Sequence, residues 1–266
     1  MTSTKTRGRL ASITENPRLG RRRSSYRTIL EGTTLLAEEA INLTVYLSRR
    51  SVPCRLVWLY LLQTKTAFNL VDTDDGVAEA MNSVSDVNPN GTIPCLEDGD
   101  VVVFDCPAMI FYLAEKYTGH AEMGPTRKIR AKAEAIMCWA SSTLLRNIHH
   151  DFISTKVGKQ EFDDPEVNTE LGKLVEEDVV HHLETLEKIY LKTNPYLLGA
   201  DPLFVDSYIA MIITLLDLAS FNMKPYPKVK QWIDRVKKHN GDNWEDVCEV
   251  HNLQVIQRGS RRASFM

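Results

Sequence analysis

The sequence contains no long apolar run that could cross a membrane. Its most apolar stretch, residues 208–216, is bounded by Asp206 and Asp217 and falls far short of the roughly 20 apolar residues of a membrane-spanning helix. The first residues are polar and basic, without the apolar core of a secretory signal peptide. We therefore expect neither a membrane span nor secretion.

Cysteine is scarce, and its five positions follow no pattern. Because an odd number of scattered cysteines does not suit a disulfide framework, we expect reduced thiols and a cytoplasmic protein. No Cys-x-x-Cys pair or Cys/His cluster has the spacing of a zinc site. The histidine pairs 149–150 and 181–182 would point about 100° apart on a helix, so neither pair chelates a metal alone. We therefore expect no metal.

Acidic residues are scarce only at the start of the chain. The net charge is −3, yet residues 1–30 carry +7 and the remainder carries −10. An acidic body lacks the basic stripe of a nucleic-acid-binding surface, so we expect no nucleic-acid partner. The basic segment has few large apolar residues, which predicts a disordered extension. Import into mitochondria is the alternative, although Pro17 and Gly20 interrupt any helix in this segment.

Two serines follow pairs of arginines, at residues 22–25 (Arg-Arg-Ser-Ser) and 261–264 (Arg-Arg-Ala-Ser). A basophilic protein kinase could use either serine, because flexible hydroxyl groups are accessible and the product phosphate can pair with arginine. A solvated tail without a switch is the simpler interpretation of each.

After the basic extension, short strands alternate with helices. Residues 43–47 form a β-branched and aromatic strand, and Ser51 then stands at the cap of a helix whose first turn holds a proline. Asp98-Gly99 predicts a hairpin turn, and Asp105 can cap the next helix. The order β-α-β-α-β-β-α, with a proline entering the third strand, is the layout of a thioredoxin-like domain.

The second half of the chain has apolar residues at helical spacing and no convincing strand. We therefore predict an α/β, thioredoxin-like domain followed by an all-α domain. The segments are a basic extension at 1–40, the thioredoxin-like domain at 41–119, the helical domain at 126–256 and a basic tail at 257–266. The helices are expected at 126–154, 170–191, 205–221, 227–238 and 242–256.

Five short segments of the chain matter for the order in which they occur and for the distances in sequence that separate them. They are residues 46–55 (YLSRRSVPCR), 88–94 (NPNGTIP), 105–113 (DCPAMIFYL), 139–146 (WASSTLLR) and 232–236 (WIDRV). Together they resemble the cytosolic glutathione transferase family, most closely its theta class, over roughly 41–256. The resemblance implies the glutathione transferase fold, glutathione as co-substrate, a small hydrophobic electrophile as its partner in the reaction, and a homodimer.

The chemistry that the resemblance implies is activation of a thiol. A free thiol has a pKa of about 8.5, and only the thiolate attacks electrophiles. The resemblance gives Ser51 the task of stabilising that thiolate with a hydrogen bond, at a helix N-terminus whose free N–H groups also favour an anion. From spacing alone Ser51 would be only a helix cap, and the resemblance moves our interpretation to the catalytic role.

The resemblance also assigns residues to the tripeptide. Pro94 would follow a cis peptide bond and turn the main chain of Ile93 toward the cysteinyl part of glutathione. Asp105 and Cys106 would receive the γ-glutamyl end, together with the N-terminus of the helix that they open. Thr92 precedes this pair and belongs to the same predicted glutathione site.

The predicted site departs from the family pattern at four positions. Asp105 replaces glutamate and is one methylene shorter, and Cys106 replaces serine and is a weaker donor. Thr92 replaces a lysine, and Ala78 replaces a polar residue. Because one lost charged hydrogen bond costs about 1.5–3 kcal/mol, these departures weaken the expected binding of glutathione.

Trp139, Thr143 and Arg146 recur at i, i+4 and i+7 on one helix face. The resemblance implies that this helix faces the cleft, so we predict that they line the electrophile pocket. A position of Arg146 at the dimer seam and a plain packing face are the alternatives.

The helix predicted at 205–221 lacks the usual start of this family. Where the family has Ser/Thr-x-x-Asp, this chain has Leu203 at the hydroxyl position and Asp206 at the acidic one. We expect Asp201 to cap the helix instead, or the helix to begin less firmly.

Two other functions stay open. The departures around the tripeptide are consistent with a glutathione-transferase-fold protein that has lost catalysis and serves as a binding or interaction module. Glutathione-dependent redox chemistry through Cys54 or Cys106 is the second. Cys106 is the better candidate, because it opens a helix whereas Cys54 lies one turn inside one.

Overall fold

A computed structural model of the protein describes residues 24–26, 41–74, 77–158 and 164–263. A five-stranded sheet with three helices is followed by helices alone, which confirms the predicted succession of a thioredoxin-like and an all-helical domain. The predicted extension lies outside the described residues except for residues 24–26. The last helix runs through the predicted tail as far as Ala263.

The sheet has four strands that were predicted and one that was not. The strands are β1 (Ser24–Tyr26), β2 (Leu43–Leu47), β3 (Phe68–Asp72), β4 (Cys95–Asp98) and β5 (Val101–Phe104), in the spatial order β1-β3-β2-β4-β5. β2 and β3 are parallel, and the other neighbours are antiparallel. β1 has no apolar alternation of its own and forms by pairing with the free edge of β3, which local sequence does not indicate.

Three helices belong to the sheet. They are α1 (Val52–Thr64), α2 (Val77–Val87) and α3 (Cys106–Leu113), and a π-helical turn, Ala114–Thr118, continues α3. The hairpin predicted at Asp98-Gly99 joins β4 to β5, with Gly99 at a φ of 69° that favours glycine.

The helical domain begins after a short linker. Its helices are α4 (Arg127–Trp139), α5 (Ser154–Lys156), α6 (Pro165–Thr185), α7 (Phe204–Ile213), α8 (Pro227–Asn240) and α9 (Asp242–Ala263). Two π-helical stretches, Ala140–Leu144 and Arg146–Ile153, join α4 to α5, so the chain follows the single long helix that was predicted there. Thr126 caps α4 by accepting a hydrogen bond from the N–H of Ile129, at 3.2 Å.

Helix α7 is buried along its whole length. Its N-cap is Leu203, so the expectation that Asp201 caps the helix is wrong. The carboxylate of Asp206 accepts hydrogen bonds from the N–H groups of Leu203 and Leu197, at 3.0 and 2.8 Å, and from the indole N–H of Trp232 at 2.8 Å. Asp206, the acidic residue of the usual capping motif, therefore keeps its role at the start of α7. It also binds the loop at Leu197 and, through Trp232, helix α8.

Helix α1 connects the two domains. It is apolar on nearly every side, as expected of a helix that is covered all round. It packs against β2 on one side and against α7 and α9 on the other. The ring of Tyr60 meets that of Phe204 edge to face, with centroids 4.9 Å apart. The N-terminus of α1 thus lies on a rigid element shared by both domains.

Candidate active site

Ser51 stands at the N-terminus of α1, where the sequence places it. It has the extended backbone of an N-cap residue, with φ −83° and ψ 124°, and its main-chain oxygen accepts the first helical hydrogen bond from Arg55 at 3.0 Å. Its side chain makes no capping hydrogen bond, and the first turn contains no acidic residue. The hydroxyl contacts the thiol of Cys54 in the same turn, and the unpaired main-chain N–H groups of the first turn are available to an anion.

The loop that carries Ser51 is held by two carboxylates that the sequence analysis missed. Asp74 accepts hydrogen bonds from the Ser48 hydroxyl at 2.7 Å and from the Arg49 N–H at 2.8 Å. Asp72 accepts one from the Arg49 Nε, also at 2.8 Å. Because β2 and β3 are parallel, their carboxyl ends meet at one edge, and acidic residues following β3 were the signal for this contact.

Cys54 lies beneath Ser51 and is fully buried. Burial raises the pKa of its thiol to about 11, which outweighs the opposing effect of hydrogen bonding to Ser48 and Ser51. The thiolate needed for redox chemistry is thus scarce at neutral pH. The structure does not favour the redox role considered for Cys54.

The predicted Ile93–Pro94 bond is cis. Pro94 is buried and Ile93 is half-buried, whereas Thr92 is exposed. Asn88 fixes this segment by donating its side-chain N–H to the main-chain oxygen of Thr92 at 2.8 Å and to its hydroxyl at 3.1 Å. The Thr92 side chain therefore belongs to the turn, and its contact with glutathione stays a prediction.

Asp105 is the N-cap residue of α3, but it does not cap the helix with its side chain, contrary to expectation. Its φ is 69°, in the left-handed region that residues other than glycine rarely adopt. Its main-chain oxygen accepts the first helical bond from the N–H of Met109, at 2.9 Å. The exposed carboxylate is therefore left without a capping role, next to the positive end of a helix.

Cys106 turns its thiol away from solvent. The side chain is buried and lies against the hydroxyl of Tyr208 on α7, which in turn contacts the hydroxyl of Ser141. Burial raises the pKa of the Cys106 thiol, so the structure does not favour the redox role for which Cys106 was the better candidate. The reason is that the first turn of α3 presents this position to the helical domain. Only its main-chain N–H remains suited to a ligand at the helix N-terminus.

The three residues predicted for the electrophile pocket each have contacts within the helical domain. Trp139 is half-buried and meets His182 of α6 edge to face, with centroids 5.5 Å apart. Arg146 is exposed and lies 3.9 Å from Asp151, and Thr143 is half-buried beside Ser142. These contacts agree with the packing-face alternative for Trp139, and the pocket assignment stays a prediction.

The described residues contain a groove of about 450 Å³ at another place in the helical domain. Phe152, Val180, Phe221 and Tyr226 are among the residues that line it, with Lys156 and Glu176 paired at 2.9 Å. None of the predicted glutathione residues lines this groove.

The side chain of Ala78 lies outside the described residues. The loss of a polar contact with glutathione at this position therefore stays a prediction.

The described residues contain no cluster of three His, Cys, Asp or Glu side chains that could hold a metal. In the same part of the chain, no helix combines the length and the apolarity of a membrane span.

A thioredoxin-like domain with a serine hydroxyl at the N-terminus of its first helix, a cis proline and a following helical domain is the arrangement of the glutathione transferase fold. Two family models match the chain: the N-terminal domain of glutathione S-transferases over residues 45–121 and their C-terminal domain over residues 146–241. The chain belongs to the glutathione S-transferase family and is most similar to the theta class.

Named relatives support this assignment. Dichloromethane dehalogenase of Methylophilus leisingeri is 27% identical over 77% of this chain and 79% of its own length. Human glutathione S-transferase theta-1 is 27% identical over 79% of this chain and 89% of its own. The solved structure of human glutathione transferase theta-2 with glutathione superposes with a TM-score of 0.70, at 18% identity over 82% of this chain and 91% of that one. This last likeness shows the shared fold.

Proposed function

We propose that this glutathione transferase activates its co-substrate through Ser51. The observation that carries the proposal is that Ser51 is an N-cap residue whose hydroxyl does not cap the main-chain N–H groups of α1. The hydroxyl donates a hydrogen bond to the sulfur of glutathione, and the positive end of α1 adds to the stabilisation of the thiolate. Ser51 itself forms no covalent bond.

The tripeptide is held by two other segments in this proposal. The main chain of Ile93 pairs with the cysteinyl part, next to the cis bond of Pro94. The carboxylate of Asp105, which does not cap α3, pairs with the ammonium group of the γ-glutamyl residue of glutathione. The main-chain N–H of Cys106 donates a hydrogen bond to the carboxylate of the same γ-glutamyl residue. The buried Cys106 thiol has no part in this binding.

The second substrate is proposed to be a small apolar electrophile. The thiolate forms a carbon–sulfur bond, either by adding to an activated double bond or by displacing a halide, which leaves with the bonding electrons. The name of the dehalogenase relative supports the second reaction class. Removal of such electrophiles is detoxification, and reduced cysteines are consistent with this function in the cytoplasm.

We propose that the active form is a homodimer. The edge strand β5 exposes apolar side chains, with Val101, Val102 and Phe104 each about 40% accessible, and Tyr117 lies exposed after α3. Val102 and Phe104 share one face of the strand, because successive side chains alternate, and neighbouring exposed apolar side chains are typical of an interface. A second copy of this chain is their proposed partner.

Calorimetric titration of glutathione in two buffers with different heats of ionisation tests the function directly. The proposal requires saturable binding accompanied by release of the thiol proton near pH 7. Binding without proton release would mean that the site holds the tripeptide without activating it. No binding at millimolar glutathione would mean that the departures at Thr92, Ala78, Asp105 and Cys106 have removed the site.

A further inference from the structure

The hydroxyl of Tyr208 lies between two polar groups on different elements. On one side it contacts the thiol of Cys106, the first residue of α3, and on the other the hydroxyl of Ser141, in the π-helical stretch after α4. Because a phenol carries one hydrogen and two lone pairs, it can donate to one neighbour and accept from the other. Tyr208 is 1% exposed and Cys106 is 2% exposed, so water does not compete for their contact. The three side chains form a polar row that joins α3 to the helical domain.

Packing fixes the ring that carries this hydroxyl. Tyr208 lies on α7, which is buried along its whole length. Its ring is 6.4 Å from that of Phe204, centroid to centroid, and Phe204 in turn packs on Tyr60 of α1. Aromatic rings packed edge to face in a close-packed core have little freedom to move. The Tyr208 hydroxyl is therefore a fixed point against which the start of α3 can rest.

The start of α3 has few local features to hold it in place. Asp105 has a φ of 69°, and its side chain does not cap the helix. Pro107 lacks a main-chain N–H, and the N–H of Met109 is bonded to the main-chain oxygen of Asp105. The first turn can therefore offer a ligand only the N–H groups of Cys106 and Ala108. Their placement depends on contacts with the rest of the molecule, and the Cys106 thiol makes one.

We propose that Tyr208 is a positioning residue for glutathione. Its hydroxyl holds the Cys106 thiol, and thereby directs the main-chain N–H of Cys106 toward the carboxylate of the γ-glutamyl residue. This inference rests on the proposed function, in which that N–H donates to the carboxylate. The thiol itself does not touch the tripeptide. Ser141 completes the row by satisfying the second hydrogen-bonding position of the phenol.

Tyr208→Phe tests the proposal, because it removes the hydroxyl and keeps the ring. Calorimetric titration gives the dissociation constants of glutathione and of γ-aminobutyryl-cysteinylglycine, which is glutathione without the γ-glutamyl carboxylate. We expect glutathione to bind about fivefold more weakly, as for one lost hydrogen bond, and the truncated peptide to bind as it does to the parent protein. In steady-state kinetics, KM for glutathione should rise while kcat stays nearly constant, because Ser51 lies on α1.

Tyr226→Phe is the matched control. Tyr226 is also a buried tyrosine of the helical domain, but it is the N-cap residue of α8 and lines the separate groove. Its substitution should leave both dissociation constants unchanged. Ser141→Ala changes the half-buried end of the row and leaves the core intact, with Ser142→Ala as its control. Ser141→Ala should weaken glutathione binding about twofold, because Tyr208 keeps its contact with Cys106.

The outcomes separate this inference from the proposed function. A parent protein that binds neither peptide would overturn the proposed function and this inference with it. A parent protein that binds glutathione, with the same affinity in Tyr208→Phe and Ser141→Ala, would overturn the inference alone. An equal loss of affinity for both peptides would also overturn it, because the hydroxyl would then support the domain and not the γ-glutamyl contact.

Discussion

Ser51 and Asp105 are both N-cap residues, yet neither side chain makes a capping hydrogen bond to its helix. A capping hydrogen bond contributes about 1 kcal/mol to stability, so leaving two unused lowers the stability of the fold. Asp105 adds a positive φ, a conformation that occurs often at binding sites. Both groups are therefore better explained by a ligand than by the fold alone.

Ser51→Ala should lower kcat for a model electrophile about 100-fold, a loss typical of removing one donor from a developing or stabilised anion. The pH profile of kcat should move to higher pH, because the variant no longer favours the thiolate. Steady-state kinetics between pH 6 and 9 provides both measurements. Glutathione affinity should change much less than kcat, since the tripeptide keeps its other contacts.

Ser142→Ala is the control for that experiment. Its hydroxyl is exposed and donates to the carbonyl of Cys138 in its own helix, at 3.1 Å. This variant should keep the kinetics and the pH profile of the parent protein. If Ser51→Ala behaves like Ser142→Ala, then Ser51 is a structural residue and thiol activation needs another source.

Asp74→Ala should reduce kcat/KM about tenfold, because the loop before Ser51 loses the acceptor for Ser48 and Arg49. Asp74→Asn keeps an acceptor oxygen and should recover part of the activity. Asp100→Ala, in the exposed turn between β4 and β5, is the matched control. Equal kinetics for Asp74→Ala and Asp100→Ala would show that the loop does not position Ser51.

At the scale of elements, the packing of α9 on α1 buries an unusual polar group. The guanidinium of Arg55 is 1% exposed, and its contact with the thiol of Cys248 measures 3.8 Å. His251 is also buried in α9, and within the described residues neither its Nε2 nor the Arg55 Nε has a hydrogen-bond partner. The contact between the domains thus contains a buried positive charge, and a second one there would be costly.

The stability of the protein should fall as pH decreases from about 6.5 to about 4. Burial first, and then the charges of Arg55 and Lys237, lower the pKa of His251 from 6.5 to about 4, despite its hydrogen bond with the main chain of Thr214. In this window the unfolded chain binds a proton that the folded chain excludes, so acid favours unfolding, by on the order of 3 kcal/mol. Burial also lowers the pKa of His149 and His182, which adds to the same trend.

Denaturant titrations at several pH values measure this slope, and His251→Gln should make it shallower. The substitution removes one titrating group while it keeps a polar side chain of similar length. An unchanged slope in His251→Gln would show that other groups control the acid response.

At the scale of the whole molecule, the sequence predicted most of the order of elements and less of the site. β2 matches its predicted range, and α1, the β4–β5 hairpin and the cis Pro94 are confirmed, because local pattern or family motif determines each. β1 was missed because its stability comes from pairing with β3, a contact distant in sequence. The inward turn of Cys106 was missed because it depends on how α3 meets the helical domain.

The proposed homodimer gives the last prediction, which concerns the exposed face of β5. Val102→Glu places a charge on an apolar surface that a partner would cover, so it should convert a dimer to a monomer in sedimentation velocity at micromolar concentration. Leu253→Glu is the control, because Leu253 is 51% exposed on α9 and lies outside the proposed interface. A stable dimer buries about 800 Å² on each partner, so one charge within that buried area is a sensitive probe. A parent protein that sediments as a monomer would refute the homodimer. A Val102→Glu dimer would instead move the interface to another face.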